Sequence, residues 1–268
     1  QMCIRDRFSF SCFNTTEEVE KAVRAMQDIA MENRGKVTAY VGAGGKTSSI
    51  RKRAETLRAE GKRVLILTTT KMMVPQEQEI FAAYEQTGQE SVILDTGAVS
   101  KECRAAEKQL KERVQSVLDT YGCCVAGGLI PGTEKFGMLP EKLMEDLLYL
   151  ADEILIEADG SAHMPVKAPA EHEPVLLPYM DEVVIVMGAH AIGKPLQEVC
   201  HRADYAKKIL KCAADKIVTA ADIRALEEQG YAIPIQKQFP WMKISKVTGK
   251  DIKLCLTAEK KDKVRDKQ

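Results

Sequence analysis

Several runs of the chain are apolar through their centres, among them RVLILTT at 63–69, DEILIEA at 152–158 and EVVIVM at 182–187. Strict alternation marks a strand with one wet face, whereas an unbroken apolar run fits a strand covered on both faces. Between such runs the apolar residues recur at helical spacing. Thr15 and Thr16 precede Glu17 and Glu18, and Val19, Ala22, Val23, Met26, Ile29 and Ala30 then line one face as far as Gly35, which predicts an amphipathic N-terminal helix. Beyond it the pattern predicts strand 37–41, helix 46–60, strand 63–69, helix 76–86, strand 91–95 and helix 100–120. It continues with strand 122–127, helix 140–151, strand 153–158, a long loop, strand 182–187, helix 202–212, strand 215–218 and helix 220–229. This alternation predicts an α/β fold with a three-layer, mostly parallel sheet. The periodicity decays after about residue 236, so 8–236 reads as one domain and 237–268 as a weakly structured, lysine-rich tail. Residues 1–7, QMCIRDR, resemble on back-translation a sequencing adapter and are read as an assembly artefact outside the fold.

Composition narrows the partners. The 268 residues are 45% hydrophobic, enough for a sizeable core, and Lys plus Arg equals Asp plus Glu at 39 each. No summed field therefore favours nucleic acid or an anionic membrane surface, and no apolar run approaches the roughly 18 residues of a span. The eight cysteines form no Cys-x-x-Cys pair. In a chain of this length they read as reduced thiols of a cytoplasmic protein, with the adjacent Cys123 and Cys124 as buried small hydrophobes.

Candidate chemistry starts at VTAYVGAGGKTSSIRKR, 37–53, where a predicted strand passes through Gly42, Ala43, Gly44 and Gly45 into a helix that opens with Lys46, Thr47 and Ser48. Cations at a helix start oppose its dipole by roughly 0.3 to 1 kcal/mol, so an anion is expected there. Glycines let backbone N–H groups curl round a phosphate, the lysine neutralises its outer oxygens, and the threonine hydroxyl can ligate Mg²⁺. The loop is a short variant, because the standard G-x-x-x-x-G-K-T spacing needs glycine where Tyr40 stands. A competing motif, GAHAIGKP, supplies Gly188, Gly193 and Lys194 but ends in Pro195, which has neither a hydroxyl nor an N–H. Lys46 is therefore the expected phosphate lysine, on a P-loop NTPase-like fold.

In ILIEADG the strand ends with Glu157 and Asp159, two apart and expected on one side as metal ligands beside the phosphates. In a parallel sheet their strand end lies on the same edge as the glycine loop. The run TTTKM ends another strand there, so Thr68, Thr69 and Thr70 are placed to orient water or metal, with Lys71 near phosphate. The segment 160–180 carries Pro165, Pro169, Pro174 and Pro178, which exclude a regular helix, and offers Lys167, Glu171 and His172 as contacts. The four histidines, His163, His172, His190 and His201, match no metal-ligand spacing.

Together VGAGGKT, TTTKM, EADGSAHMPVKAPAEHEP and GAHAIGKPL resemble the bacterial selenium-dependent molybdenum hydroxylase accessory proteins, YqeC-like, over roughly residues 36–220. The resemblance implies a cytoplasmic nucleotide-binding protein that acts with a molybdenum hydroxylase or its cofactor-loading enzymes. It carries the nucleotide motif onto Gly42 through Thr47, the acidic motif onto Glu157, Asp159 and Gly160, and the proline-flanked segment onto Lys167, Pro169, Glu171 and Pro174. Where relatives have an Asn-Lys-x-Asp-like base-recognition element, this chain reads IPIQKQFPWMK, so the base stays open between ATP and GTP. The expected site is thus Gly42 through Ser48 with Lys167 for the nucleotide, Thr47, Glu157 and Asp159 for Mg²⁺, and Glu157, Asp159 and Thr69 for catalysis. Three activities remain open: hydrolysis, transfer of a phosphoryl or nucleotidyl group to a small acceptor, and nucleotide binding by a non-hydrolysing insertion chaperone.

Overall fold

The computed structural model describes residues 15, 18, 34–84, 101–213 and 215–248. The chain divides into two units, 1–34 and 35–268, where a single unit from residue 8 is the expectation above. In the first, the Thr15 hydroxyl accepts the Glu18 N–H at 3.2 Å and the Glu18 carboxylate accepts the Thr15 N–H at 2.9 Å. This reciprocal pair is a capping box, as the Thr-Thr-Glu-Glu run suggests. Residues 1–7, most of the predicted first helix and strand 91–95 lie outside the described residues.

The second unit opens with β1 (Lys36–Gly42), α1 (Lys46–Ala59), β2 (Val64–Thr68), β3 (Lys71–Met73), β4 (Phe81–Tyr84) and α2 (Lys101–Tyr121). There follow β5 (Cys123–Leu129), β6 (Lys135–Gly137), α3 (Glu141–Leu147), β7 (Glu153–Glu157), β8 (Val166–Lys167) and β9 (Glu182–Met187). The chain ends its described part with α4 (Leu196–Val199), β10 (Cys200–His201), α5 (Ala203–Leu210), α6 (Ala220–Ala225), a π-helical stretch Leu226–Ala232, α7 (Ile233–Gln238) and β11 (Lys243–Thr248).

The main sheet runs β11-β9-β1-β7-β2-β5, all parallel, and continues through antiparallel β6 and β3, with β4 pairing in parallel to β5. β8 and β10 form a separate two-stranded sheet. The unbroken apolar runs are explained by two cores, one on each face. Along β1, β2, β7 and β9 alternate residues divide between them: Ala39, Leu65, Ile154 and Ile185 belong to one, while Tyr40, Ile66, Leu155 and Val184 belong to the other. Ile50, Ala54 and Leu57 of α1 cover the second face, and α2, α3 and the helical segment 220–238 cover the first. The result is a three-layer, mostly parallel α/β sheet of the P-loop NTPase-like kind.

Several local expectations are corrected. The helix expected at 76–86 is a 3-10 turn, Gln78–Ile80, followed by β4, because Phe81, Ala82 and Tyr84 find buried places beside β5. Here a tertiary partner overrides local periodicity. Strand 215–218 is reduced to an isolated bridge between Pro195 and Ile217. The region read as tail contains β11, which pairs in parallel with β9 over Glu182–Met187. Its lysines hid the strand: the Glu182 carboxylate accepts a hydrogen bond from Ser245 Oγ at 2.6 Å and lies 3.8 Å from Lys243 Nζ. Lysines on a sheet edge also discourage pairing with other chains.

If β11 is integral to the sheet, a chain ended after Met242 should be less stable than one ended after Thr248. A loss of roughly 3 kcal/mol is expected from its ladder hydrogen bonds at about 0.5–1.5 kcal/mol net each. Equal urea midpoints for the two chains would show β11 to be dispensable.

Candidate functional site

The glycine loop is built by backbone conformation. Gly42, Gly44 and Gly45 have φ of +92°, +75° and +128°, values that residues with a Cβ rarely adopt. At Gly44 there is also no room: a Cβ would stand 2.4 Å from the Pro165 carbonyl oxygen and 2.6 Å from Gly188 Cα. Tyr40, which occupies the standard motif's first glycine position, lies buried within β1, its carbonyl accepting the Ala158 N–H at 3.0 Å. The strand therefore runs to Gly42 and the loop is shortened from that side. The first hydrogen bond of α1 is from Ser49 N–H to Gly45 O at 2.8 Å, so the amides before it are those a helix start leaves without partners.

Lys46 opens α1 yet is only 4% exposed. Its Nζ donates to the Gly42 carbonyl at 2.7 Å and lies 3.1 Å from Asp159 Oδ1. Asp159 is fully buried beneath the loop. Its Oδ2 accepts the Gly42 N–H at 2.9 Å and the Tyr231 hydroxyl at 3.0 Å, and lies 3.4 Å from Lys167 Nζ. Lys167, also fully buried, donates to the Gly160 carbonyl at 2.5 Å and pairs with Glu173 at 2.9 Å; Glu173 in turn pairs with Arg202 at 3.0 Å. Buried charges are tolerated when paired and hydrogen-bonded, as in this chain of alternating sign. Burial and the neighbouring Asp159 carboxylate push the Tyr231 phenol well above its usual pKa, which keeps it a donor.

The two acids of EADG thus divide. β7 ends at Glu157, and strand alternation no longer fixes where the next residues point. Glu157 Oε2 accepts the Thr47 hydroxyl at 2.8 Å at the floor of a cleft, while Asp159 turns inward under the loop. The expectation that both acids share one side does not hold. Burial raises the Glu157 pKa, opposed by the Lys46 charge and the Thr47 hydrogen bond.

The cleft has a volume of about 1180 Å³ and runs along the carboxyl ends of the strands. Gly44, Gly45, Lys46, Thr47 and Ser48 line it, whereas Gly42 and Ala43 lie behind, the Ala43 N–H donating to Val186 O at 2.7 Å. Five cations, Lys46, Arg51, Lys52, Lys71 and Lys135, face one acid, Glu157. Such a surface favours a polyanion. Thr47 and Glu157 fit Mg²⁺, which is usually held by one or two carboxylates together with substrate phosphates and waters. Among the described residues no three His, Cys, Asp or Glu side chains gather as a metal site, so a metal ion held by Thr47 and Glu157 would need further ligands from other groups.

Other expected residues stand elsewhere. Thr69 is buried, its hydroxyl donating to Val175 O and its N–H to Glu157 O at 2.9 and 3.1 Å, so it ties the proline-rich segment to β7. The Thr68 hydroxyl also donates to Glu157 O, at 2.9 Å. Lys167 belongs to the buried charge chain and does not line the cleft, and Glu171 and His172 are exposed outside it. GAHAIGKP uses its own amides internally, Gly188 N–H to Pro165 O and Gly193 N–H to Val218 O, and serves as a wall through Ala189 and His190. Cys123 and Cys124 face opposite cores, and burial raises their thiols to about 11 and about 12, too high for ready thiolate formation.

Tyr231, Glu173 and Arg202 were not singled out by the sequence. Tyr231 lies 72 residues from Asp159 in an ordinary-looking helix, and only the π-helical stretch, a feature often found at functional sites, marks its place. Ala162 and His163 were likewise missed as wall residues; both have left-handed backbones, φ 46° and 60°.

A glycine turn between a buried parallel strand and a helix, opening on a basic cleft, places the chain in the P-loop NTPase-like class. Comparison with known sequences narrows that class. The YqeC protein family matches residues 38–204, more than half of the chain, and the chain belongs to this family. A relative from Escherichia coli (strain K12), "Uncharacterized protein YqeC", is 34% identical over 203 residues, 74% of this chain and 70% of the relative. Among the described residues no helix is long and apolar enough to cross a membrane.

The raised pKa of Glu157 predicts a pH effect. The folded state binds its proton more tightly than the unfolded chain, so its contribution to stability is complete below the ordinary glutamate pKa and is lost as pH rises through the higher folded value. Glu157→Gln should abolish that decline. Urea titrations between about pH 4.5 and 7.5 read it directly: identical slopes for the two proteins would refute the assignment. Independently, Gly44→Ala should disrupt the loop, because the clash is with backbone atoms that cannot rotate away.

Proposed function

We propose that the protein binds a nucleoside triphosphate with Mg²⁺ at the Lys46 loop and hydrolyses it in the maturation of a selenium-dependent molybdenum hydroxylase, in the cytoplasm. One observation carries the reading. The four segments that resemble the accessory proteins all supply walls of one basic cleft: Gly44 through Ser48, Lys71 with Met72, Glu157 with Gly160 through Met164, and Ala189 with His190. Separate stretches of chain converge on one basic cleft, which supports a polyanion as its ligand.

In this reading the amides of Gly44 through Ser48 and the Lys46 ammonium hold the phosphates. Thr47 and Glu157 would hold the metal, which when bound would supply positive charge beside the phosphates. Glu157, the acid that faces the cleft, is the residue placed to take a proton from water at the terminal phosphate. Asp159, Lys167 and Thr69 act behind the cleft, Asp159 by fixing Lys46 and Thr69 by fixing Glu157 through its backbone. Binding of ATP or GTP and association with the hydroxylase or its cofactor-loading enzymes belong to the same proposal. A second reading, transfer to a small acceptor, is favoured by the size of the cleft.

Calorimetry with ATP, GTP and CTP, with and without Mg²⁺, followed by phosphate release, is the test. Metal-dependent binding and phosphate release without acceptor support hydrolysis; tight binding without turnover, even with the hydroxylase present, would replace it with a chaperone role. Lys46→Met should abolish binding, but breaking a buried ion pair costs about 3–5 kcal/mol. Thr47→Ala leaves that pair intact and should weaken Mg²⁺-dependent binding by about tenfold, the loss of roughly 1.4 kcal/mol from one ligand.

A further inference from the structure

The cleft is larger than the loop's share of it. Sites for a single small ligand occupy about 300–1,000 Å³, and this one has about 1180 Å³. Its far wall is the finger formed by β3 and β6. In this antiparallel pair Lys71 faces Gly137, Met72 faces Phe136 and Met73 faces Lys135. Side chains alternate along a strand and cross-strand partners share a face, so Lys71, Met73 and Lys135 stand together on one face and Met72 and Phe136 on the other. Burial agrees. Met72 and Phe136 are in the core, while Lys71 and Lys135 are exposed and Met73 is 52% exposed.

All three open residues line the cleft, where the largely buried Met72 also contributes to the wall. Neither lysine is paired with an acid among the described residues, unlike Lys111, Lys142 and Lys246, which have acidic partners. Two uncompensated ammonium groups bracketing a soft, exposed methionine make a surface for an anion attached to an apolar body.

The wall also stands in the right direction. Thr47 and Glu157 mark the metal and the terminal phosphates, and Glu157 belongs to β7, on the β2 side of β1. β2 is two strands from β1, about 10 Å at the usual spacing, and β3 begins three residues after β2 ends. The opposite side of the loop, toward β9 and β11, offers Ala189, His190 and Val247 to the remainder of a nucleotide.

From this arrangement we infer that Lys71, Met73 and Lys135 form a second subsite, which takes a phosphate-bearing small molecule with an apolar portion and holds it facing the terminal phosphates of the nucleotide. The inference rests on the reading of the glycine loop as the nucleotide's phosphate site. It makes this a two-ligand protein, whatever passes between the ligands.

Inorganic pyrophosphate is a probe for both subsites, titrated calorimetrically into the full chain with Mg²⁺. Two sites per chain are expected. The double variant Lys71→Ala/Lys135→Ala, which alters two exposed side chains, should retain the loop site and weaken the other by about tenfold or more. Lys46→Met should do the reverse, with Thr47→Ala as the variant that keeps the buried ion pair. A single site that the double variant leaves unchanged and the loop variants weaken overturns the second subsite while leaving the loop reading intact. A single site lost in the double variant and indifferent to the loop variants supports the subsite and removes the loop reading. Absence of binding overturns both.

Discussion

The site depends on one carboxylate. A helix that opens with Lys46 and continues to Arg51, Lys52 and Arg53 sets cations against its own dipole, and the protein answers with an internal anion, Asp159, 3.1 Å from the Lys46 ammonium. A lone buried carboxylate is costly, so its other contacts matter as much as the lysine. Gly42 N–H and the Tyr231 hydroxyl donate to it, and Lys167 stands beside it. Through Lys167, Glu173 and Arg202 the same charge chain reaches the proline-rich segment and the start of α5. The glycine loop is thus electrostatically tied to parts of the chain well over a hundred residues away.

That tie separates two kinds of charge. Behind the loop, cations and anions alternate at ion-pair distance, with Lys46, Asp159 and Lys167 shielded from water. In front of it, Arg51, Lys52, Lys71 and Lys135 face the open cleft with Glu157 as the acid. The first set fixes geometry, since each member satisfies its neighbour; the second leaves a field for a ligand to neutralise. Glu157 lies at the boundary. Its hydrogen bond from Thr47 points into the cleft, while its backbone carbonyl is held by Thr68 and Thr69. A carboxyl so mounted can change protonation or ligation without the strand end moving.

The close fit of the loop adds a steric constraint. Gly44 presses against Pro165 O and Gly188, so the glycine loop, the proline-rich segment and the GAHA turn have to be positioned together. The second glycine-lysine motif therefore acts as a wall and not as a rival site. Its Gly188 and Gly193 amides are committed to Pro165 and Val218, and what it presents to the cleft is Ala189 and His190.

Sequence patterning alone determined the layered α/β architecture, because strands buried on both faces must be apolar throughout, and it located the loop, because positive φ at three positions calls for glycine. It also brought Thr47, Glu157 and Asp159 to one edge of the sheet without deciding which acid meets Thr47, since parallel strands have their carboxyl ends together. Tertiary structure decided the rest. Whether Phe81–Tyr84 became helix or strand depended on an open place beside β5, and whether Lys243–Thr248 became strand or tail depended on the free edge of β9 and on Glu182. The separation of Glu157 from Asp159 followed from where β7 stops, and the role of Tyr231 from a helix that returns beneath the loop. Periodicity records which residues are buried, whereas the partner of a buried charge is fixed only when distant segments pack.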